Sequence, residues 1–381
     1  MNSESAAANA GKNKIKNFLK SNFMPVIAVL LAAVSAVIVP PDKEYLGYFD
    51  LKTLSNLFVM MLVIAGLKNM RFFTFLATKF IEKLKKQRNV VLALVFITFV
   101  GSMFLANDMA LLTFLPLTLD VFSISEKPRY CAFTVIMQNI AANLGGMILP
   151  FGNPQSLYLY SYFSISTAEF VSIMWIPFAF SIASIFLLCF FVVKNDELEL
   201  KKEVECEIKP VNCAAYFCFF VLAVLAVLRV VDYAAVTLAV AVLMAFFDYK
   251  AYKKVDYGLL LTFCMFFVFA SNMARVQAVQ SAVGALVAKS ALLTGVVSCQ
   301  FFSNVPTAIF LSKFTNDYKS LLLATNIGGT GTIVASLASL ISLGHYGRQY
   351  PQNRKKYLLL FSVINFAFLI CLTLLCLVIV R

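Results

Sequence analysis

The sequence predicts an all-α polytopic membrane protein: about nine spans plus two re-entrant helical hairpins, set in two inverted repeats. Three observations carry this. Of the 381 residues, 61% are hydrophobic, well above the roughly 45–50% of a soluble domain, and apolar runs of about 18 residues or more recur. Lys and Arg cluster in short loops between those runs, which is how a bilayer orients a chain. Segments interrupted by Gly, Pro or Asn recur at matched places in the two halves.

Composition also excludes other classes. The net charge of +13 does not point to nucleic acid, because the charges sit in loops and no basic-and-aromatic module interrupts them. The nine Cys lie mostly in apolar runs without a CxxC pair, so they read as small buried hydrophobes. A single histidine, His345, excludes a multi-histidine metal site. No enzyme activity is expected: HExxH and GxGD-like motifs are absent, and no second Asp faces Asp108 from mid-span.

Taken in order, residues 1–22 are polar and basic with no cleavage pattern after them, and read as a cytoplasmic tail. The run 23–40 leaves the cytoplasm, PPDKEYLGYFD is an outer loop, and 51–66 returns. The segment LKNMRFFTFLATKFIEKLKKQR has apolar residues at helical spacing among Lys and Arg, which suits a helix on the cytoplasmic interface. Residues 89–125 are too few for two spans of about 20 residues and a turn. They predict a re-entrant hairpin over about 90–124, with arms of roughly 16 residues and Asn107–Asp108 at its tip. The run 130–160 is broken at ANLGGMILPFGNPQS, where paired Gly with Pro150, Gly152 and Pro154 cannot hold a straight helix.

The run 170–193 then returns to the charged linker KNDELELKKEVECEIKP, 211–228 leaves, 234–247 returns and 257–270 leaves again. A second hairpin is predicted over about 290–314, centred on FFSNVPTAIF, and a second broken span over about 321–343, containing ATNIGGTGTIVAS. The run 358–380 closes the chain. The organisation is a tail (1–22), a first inverted repeat (23–193), a linker with a connecting span (194–233) and a second inverted repeat (234–381), in the inner, cytoplasmic membrane.

FDLKTLSNLFVMMLVIAGLKNM aligns with VDYGLLLTFCMFFVFASNMARV, and ANLGGMILPFGNPQSLYLYSY with TNIGGTGTIVASLASLISLGHY. Asn143 then lies over Asn326, and Gly145–Gly146 over Gly328–Gly329. Interrupted segments at corresponding places of oppositely oriented halves point to the binding site of a secondary transporter. Half-helix N-termini suit an anion, while unwound carbonyls with Asn and Ser/Thr oxygens suit Na⁺. Asn107, Asp108, Asn143, Gly146, Asn304 and Asn326 are therefore expected at the coupling ion, with Asn107, Asp108 and Asn304 as candidate Na⁺ ligands. Gly152, Asn153, Ser156, Ser303, Thr307, Gly329, Thr330 and Thr332 are the candidate substrate contacts.

Asp108 has no counterpart in the second half, where Val305 follows Asn304. It is the expected coupling residue, binding Na⁺ or taking up a proton; the structural alternative is a packing role beside a basic partner. No cofactor other than a coupling Na⁺ or H⁺ is expected. Asp50 and Asp256 read as N-caps, Arg229 and Lys313 as snorkelling side chains, and Glu169 as a solvated first-turn acid.

The motifs LANDMALLTFLPL, GNPQS, SNVPTA and TNIGGTGT resemble the ion transporter superfamily of arsenite permeases, Na⁺/H⁺ antiporters, and citrate and dicarboxylate–sodium symporters, above all its small bacterial anion transporters. The likeness runs over nearly the whole chain after the tail. It implies hairpin-and-broken-helix repeats, a midplane site, a homodimer and elevator-like alternating access. In the dicarboxylate symporters each tip carries Ser-Asn-Thr; here the second tip has Ser303-Asn304 with Thr307 three places on. The first tip, Ala106-Asn107-Asp108, resembles the arsenite-permease and antiporter branches instead. The expected function is movement of a small anion, a di- or tricarboxylate or an inorganic oxyanion, coupled to Na⁺ or H⁺. Na⁺/H⁺ antiport or arsenite efflux is the alternative.

Overall fold

A computed structural model describes residues 23–70, 72–125, 128–197 and 210–380. The expected tail and most of the mid-chain linker, 198–209, lie outside the described residues. The chain is an all-helical polytopic membrane protein. Among the described residues, seven helices are long and apolar enough to cross a bilayer, or up to eight if one sharply bent pair counts as a span.

The first part of the chain comprises α1 (Phe23–Ile38), α2 (Leu51–Asn69), α3 (Phe72–Ile81), α4 (Gln87–Leu105) and α5 (Asn107–Ile124). It continues with α6 (Cys131–Gly145), α7 (Pro154–Tyr162) and α8 (Thr167–Val192). Next come α9 (Pro210–Val227) and α10 (Tyr233–Phe247). The last part comprises α11 (Tyr257–Arg275), α12 (Gln277–Lys289), α13 (Ala291–Phe302), α14 (Asn304–Leu311), α15 (Tyr318–Ile327), α16 (Leu337–Gln349) and α17 (Arg354–Val380).

Local chemistry sets the helix starts. Asp50 accepts the Thr53 N–H at 3.0 Å and Asp256 the Leu259 N–H at 2.9 Å, so both acids cap the helices they precede. Ser166, Ser290 and Asp317 do the same for α8, α13 and α15. The hairpin α4–α5 turns in a single residue, Ala106, and α13–α14 turns in Ser303. The breaks α6–α7 and α15–α16 fall at the Gly-containing segments.

Two features differ from expectation, the arms of the first hairpin and a helix ahead of the second. The arms of the first hairpin have 19 and 18 residues, about 28 and 27 Å at 1.5 Å per residue, close to the bilayer's apolar thickness of about 30 Å. Helix α4 begins inside the basic cluster because Arg88 is satisfied there: its Nε donates to the Val193 carbonyl at 2.8 Å and its guanidinium lies 4.4 Å from the Phe190 ring centroid. The second hairpin is far shorter, with arms of 12 and 8 residues. Residues 277–289, unassigned from sequence, form α12, bent by 118° from α13 at the extended, capping Ser290.

The breaks are wrapped, not exposed. The span containing α6 has 94% of its apolar window buried, whereas those of α8 and α17 have only 28% buried and turn toward lipid. Each hairpin packs on the broken helix that follows it, α4 on α6 and α13 on α15. The second half-helices cross over: α7 packs on α14, and α16 on α5. Likewise α1 lies along α11, while α9 and α10 pack on α2. The two parts of the chain are thereby joined around the breaks.

Candidate functional site

Both hairpin tips hold the same backbone. Ala106 has φ 63°, ψ 154° and Ser303 has φ 70°, ψ 159°, a region that only glycine enters freely and that costs a side-chain-bearing residue about 1–3 kcal/mol. The residue after each is an Asn that folds back on its own helix. Asn107 Oδ1 accepts the Asp108 N–H and Asn304 Oδ1 accepts the Val305 N–H, each at 2.9 Å. At the second tip the Asn304 N–H also donates to the Ala335 carbonyl at 3.0 Å, joined there by Ser303 Oγ at 3.2 Å.

Two buried asparagines, one in each broken helix, tie the first tip and the two breaks together. Asn143 Oδ1 accepts from Asn107 Nδ2 at 3.1 Å and from Ser336 Oγ at 2.8 Å. Asn326 Oδ1 accepts from Asn153 Nδ2 at 3.1 Å, Ser156 Oγ at 3.0 Å and Gln155 Nε2 at 3.4 Å. Each Asn also donates to the carbonyl four residues before it, Asn139 and Leu322 respectively. The bonds from Ser336 to Asn143 and from Asn153, Gln155 and Ser156 to Asn326 therefore cross between the two parts of the chain. Glycine is required where the backbones meet: a Cβ on Gly152 would stand 2.1 Å from the Gly146 carbonyl oxygen, and one on Gly146 would stand 2.4 Å from Asn153 Oδ1.

A cavity of about 430 Å³ opens onto this network. Asn107, Asp108, Gln155, Ser303, Asn304 and Ser336 line it where the tips meet, and Phe23, Asp256, His345 and Arg348 line it elsewhere. Helix α16 supplies one face, Leu337, Leu340, Ile341, Gly344, His345 and Arg348, which runs about 17 Å along the helix. Asp108 turns toward the Ala338 N–H at the start of α16, and its Oδ1 has no hydrogen-bond partner among the described residues. No described Lys or Arg pairs with it. Buried oxygens of Asn139, Asn153, Gln155 and Thr307 are likewise without partners among the described residues.

Of the positions singled out in sequence, Asn107, Asp108, Ser303 and Asn304 line the cavity. Asn143, Gly146, Asn153, Ser156, Gly329 and Asn326 stand behind it in the hydrogen-bonded layer; a Cβ on Gly329 would lie 3.1 Å from Asn304 Nδ2 and 3.3 Å from Asn143 Oδ1. Thr307 is buried one turn beyond Asn304. Thr330 Oγ1 donates to the Ile327 carbonyl, and Thr332 bonds Gln300 through both its N–H and its hydroxyl. Neither threonine lines the cavity, and neither does Gly152.

Sequence reasoning missed Ser336, Gln155 and Gln300. The repeat alignment contained a signal for the first, since Ser336 stands opposite Asn153. Gln300 holds the second break: its Nε2 donates to the Gly328 and Thr330 carbonyls at 3.1 and 3.2 Å, and its Oε1 accepts the Thr332 N–H at 2.8 Å. Arg229 does more than snorkel, donating to the Tyr160 carbonyl with its guanidinium 4.3 Å from that ring's centroid. Glu169 accepts from the Tyr318 hydroxyl at 2.7 Å.

Comparison with known proteins agrees with this architecture. The profile of a family described as citrate transporter matches residues 20–317. The uncharacterized transporter MJ0456 of Methanocaldococcus jannaschii is 30% identical over 341 residues, covering 87% of this chain and 90% of its own. The inner membrane protein YbiR of Escherichia coli is 26% identical over 311 residues, covering 79% of this chain and 81% of its own. An all-helical membrane chain with two broken helices and two helical hairpins around one polar cavity thus meets its family: it belongs to the citrate transporter family of membrane transporters.

Proposed function

We propose that the protein is a secondary active transporter that moves a small anion, a di- or tricarboxylate or an inorganic oxyanion, across the cytoplasmic membrane, coupled to Na⁺ or H⁺. The observation that carries this is the pair of matched tips, Ala106 and Ser303, whose Asn107 and Asn304 line one cavity. Pre-set backbone of this kind stores strain that surrounding structure must hold in place, and it concentrates at ligand clamps. Recurrence of hairpin, broken helix and long helix on both sides of the cavity supports two inverted repeats rocking about a fixed site.

The coupling ion is assigned to Asn107, Asp108 and Asn304, with Asn143 holding Asn107 in place and Asn326 holding Asn153 and Gln155 behind them. The unpartnered oxygens of Asp108, Asn153 and Gln155 supply hard donors of the kind Na⁺ takes. The anion is assigned to the space between the tips and the start of α16, against Ser303 and Ser336. By the distribution of basic loops, the end of the cavity carrying Phe23, Asp256 and Arg348 faces the cytoplasm, so the shape described is the inward-open one. We further propose a homodimer, on the resemblance of the motifs.

Asp108 favours a second reading, Na⁺/H⁺ antiport, in which its carboxylate alternates between the two ions; arsenite efflux is a variant of the same site. One experiment separates them. Purified protein in liposomes on a supported membrane is challenged with citrate, succinate, phosphate, sulfate or arsenite, with and without Na⁺, at two pH values. Current that needs one anion together with Na⁺ or acid supports the first reading. A pH-dependent Na⁺ signal indifferent to every anion and lost in Asp108→Asn refutes it in favour of the antiporter.

A further inference from the structure

A second cleft, about 380 Å³ in volume, lies between the start of α6, the end of α16 and the start of α17. Its wall is aromatic: the Tyr346 ring lies 4.5 Å from Tyr357 and 5.1 Å from Tyr350, and Tyr346 and Tyr357 are buried. Its rim carries Arg129 and Lys356. Both are exposed, and no described carboxylate pairs with either. Neither α6 nor α17 has an acid in its first turn, so no described first-turn carboxylate offsets the partial positive charge of those helix ends beside the two cations.

Leu360 of α17 lines the cleft, and beyond it the same helix exposes Leu359, Val363 and Ile370. Cations at the head of an apolar, lipid-facing helix match the two halves of a phospholipid: a phosphate at the interface and acyl chains below it. A soluble anion would use the first half and leave the second without purpose.

We propose that this cleft binds the headgroup of an anionic phospholipid, its phosphate between Arg129 and Lys356, its glycerol against the tyrosines and an acyl chain along α17. The site has a mechanical consequence. Tyr346 projects from α16, the helix whose other face lines the central cavity, and Tyr350 follows its last residue. A headgroup seated in the cleft braces that helix, so lipid composition sets how firmly the cavity wall is held. Only the effect on transport rests on the proposed function; binding and bracing do not.

The test uses the full-length protein, stripped of lipid and returned to nanodiscs of phosphatidylglycerol or phosphatidylcholine. Lipid retention is read by native mass spectrometry, and bracing by amide exchange across 337–349. One basic side chain near an anionic headgroup is worth on the order of fivefold in affinity. Wild type is expected to retain phosphatidylglycerol over phosphatidylcholine and to exchange more slowly across 337–349 in the anionic disc. Arg129→Gln with Lys356→Gln should lower that preference by on the order of tenfold or more, whereas Lys356→Arg and the distant Lys289→Gln should keep it. Equal retention of the two lipids by wild type overturns the proposal, whether or not the glutamine variant folds. So does a preference that survives the double substitution. If inorganic phosphate alone protects 337–349 as fully as the anionic disc, the cleft is a soluble-anion site and the lipid assignment is wrong.

Discussion

Replacing Asn326 with alanine tests the hydrogen-bonded layer behind the cavity. Asn326 is fully buried, and its Oδ1 is the shared acceptor for Asn153, Ser156 and Gln155 at 3.1, 3.0 and 3.4 Å. Side-chain hydrogen bonds inside membrane proteins average about 0.6 kcal/mol and reach about 1.7. Loss of this acceptor therefore costs about 2 kcal/mol, with about 5 kcal/mol as a ceiling. The bond from Asn326 Nδ2 to the Leu322 carbonyl, at 2.9 Å, adds little, because a helical carbonyl keeps its backbone partner four residues on.

The assay is equilibrium unfolding by SDS in mixed micelles, followed by fluorescence of the single Trp, Trp175 on the lipid-facing α8. Pairing the change with Asn153→Ala gives a double-mutant cycle, expected to be non-additive by about 0.6 kcal/mol since one bond is counted in both singles. A loss below about 0.5 kcal/mol, or strict additivity with Asn153→Ala, would refute the claim that Asn326 ties the two parts of the chain together.

Four further outcomes are expected. Gly152→Ala sets a methyl 2.1 Å from a backbone oxygen and should cost about 3 kcal/mol or more, read as loss of a monodisperse peak. Gly284→Ala, with nothing within 4 Å of the new methyl, should instead stabilise α12 by about 0.5–1 kcal/mol. Ala106→Gly relieves the φ of 63° and should raise stability by about 1 kcal/mol net of the added chain entropy; a lower melting temperature would argue against strain at the tip. The hydrogen bond from Arg275, 2.6 Å from Asp42, holds the Asp42 carboxyl below the ordinary carboxylate range. A lowered native value means this contribution is present above the ordinary pKa of 3.8 and is lost as pH falls through the native value. The Arg275→Gln variant should lack that acid-sensitive part of the melting profile.

Much of the site could be found in the sequence because it advertises itself by contrast. Asn107, Asp108 and Asn304 are polar residues in apolar runs, and the paired glycines interrupt helices that hydropathy alone would continue. Ser336 and Gln300 give no such contrast: serine and glutamine near a span end are unremarkable until a partner is known. Thr330 and Thr332 lie in the same motif as Asn326, yet their hydroxyls are taken by the Ile327 and Gln300 carbonyls. Motif membership does not tell which way a side chain leaves an unwound backbone. The extra length of α4 was hidden for a similar reason, since Arg88 ends an apolar run in sequence but is satisfied by Val193 and Phe190 from a distant helix.

What the sequence determined alone is the local physics: apolar runs that belong in lipid, acids and serines that cap the helices they precede, and glycines and prolines that stop helices mid-span. Each of these depends on residues within a turn or two of one another. Tertiary structure decided the rest. Asn143 meets Ser336 across 193 positions and Asn326 meets Ser156 across 170, and α16 becomes the wall of the cavity only because it docks on α5. A hydrogen bond a few ångströms long between such residues is a property of how whole helices are placed. No local pattern fixes that placement, because many packings bury the same apolar faces while only one also satisfies these buried polar groups.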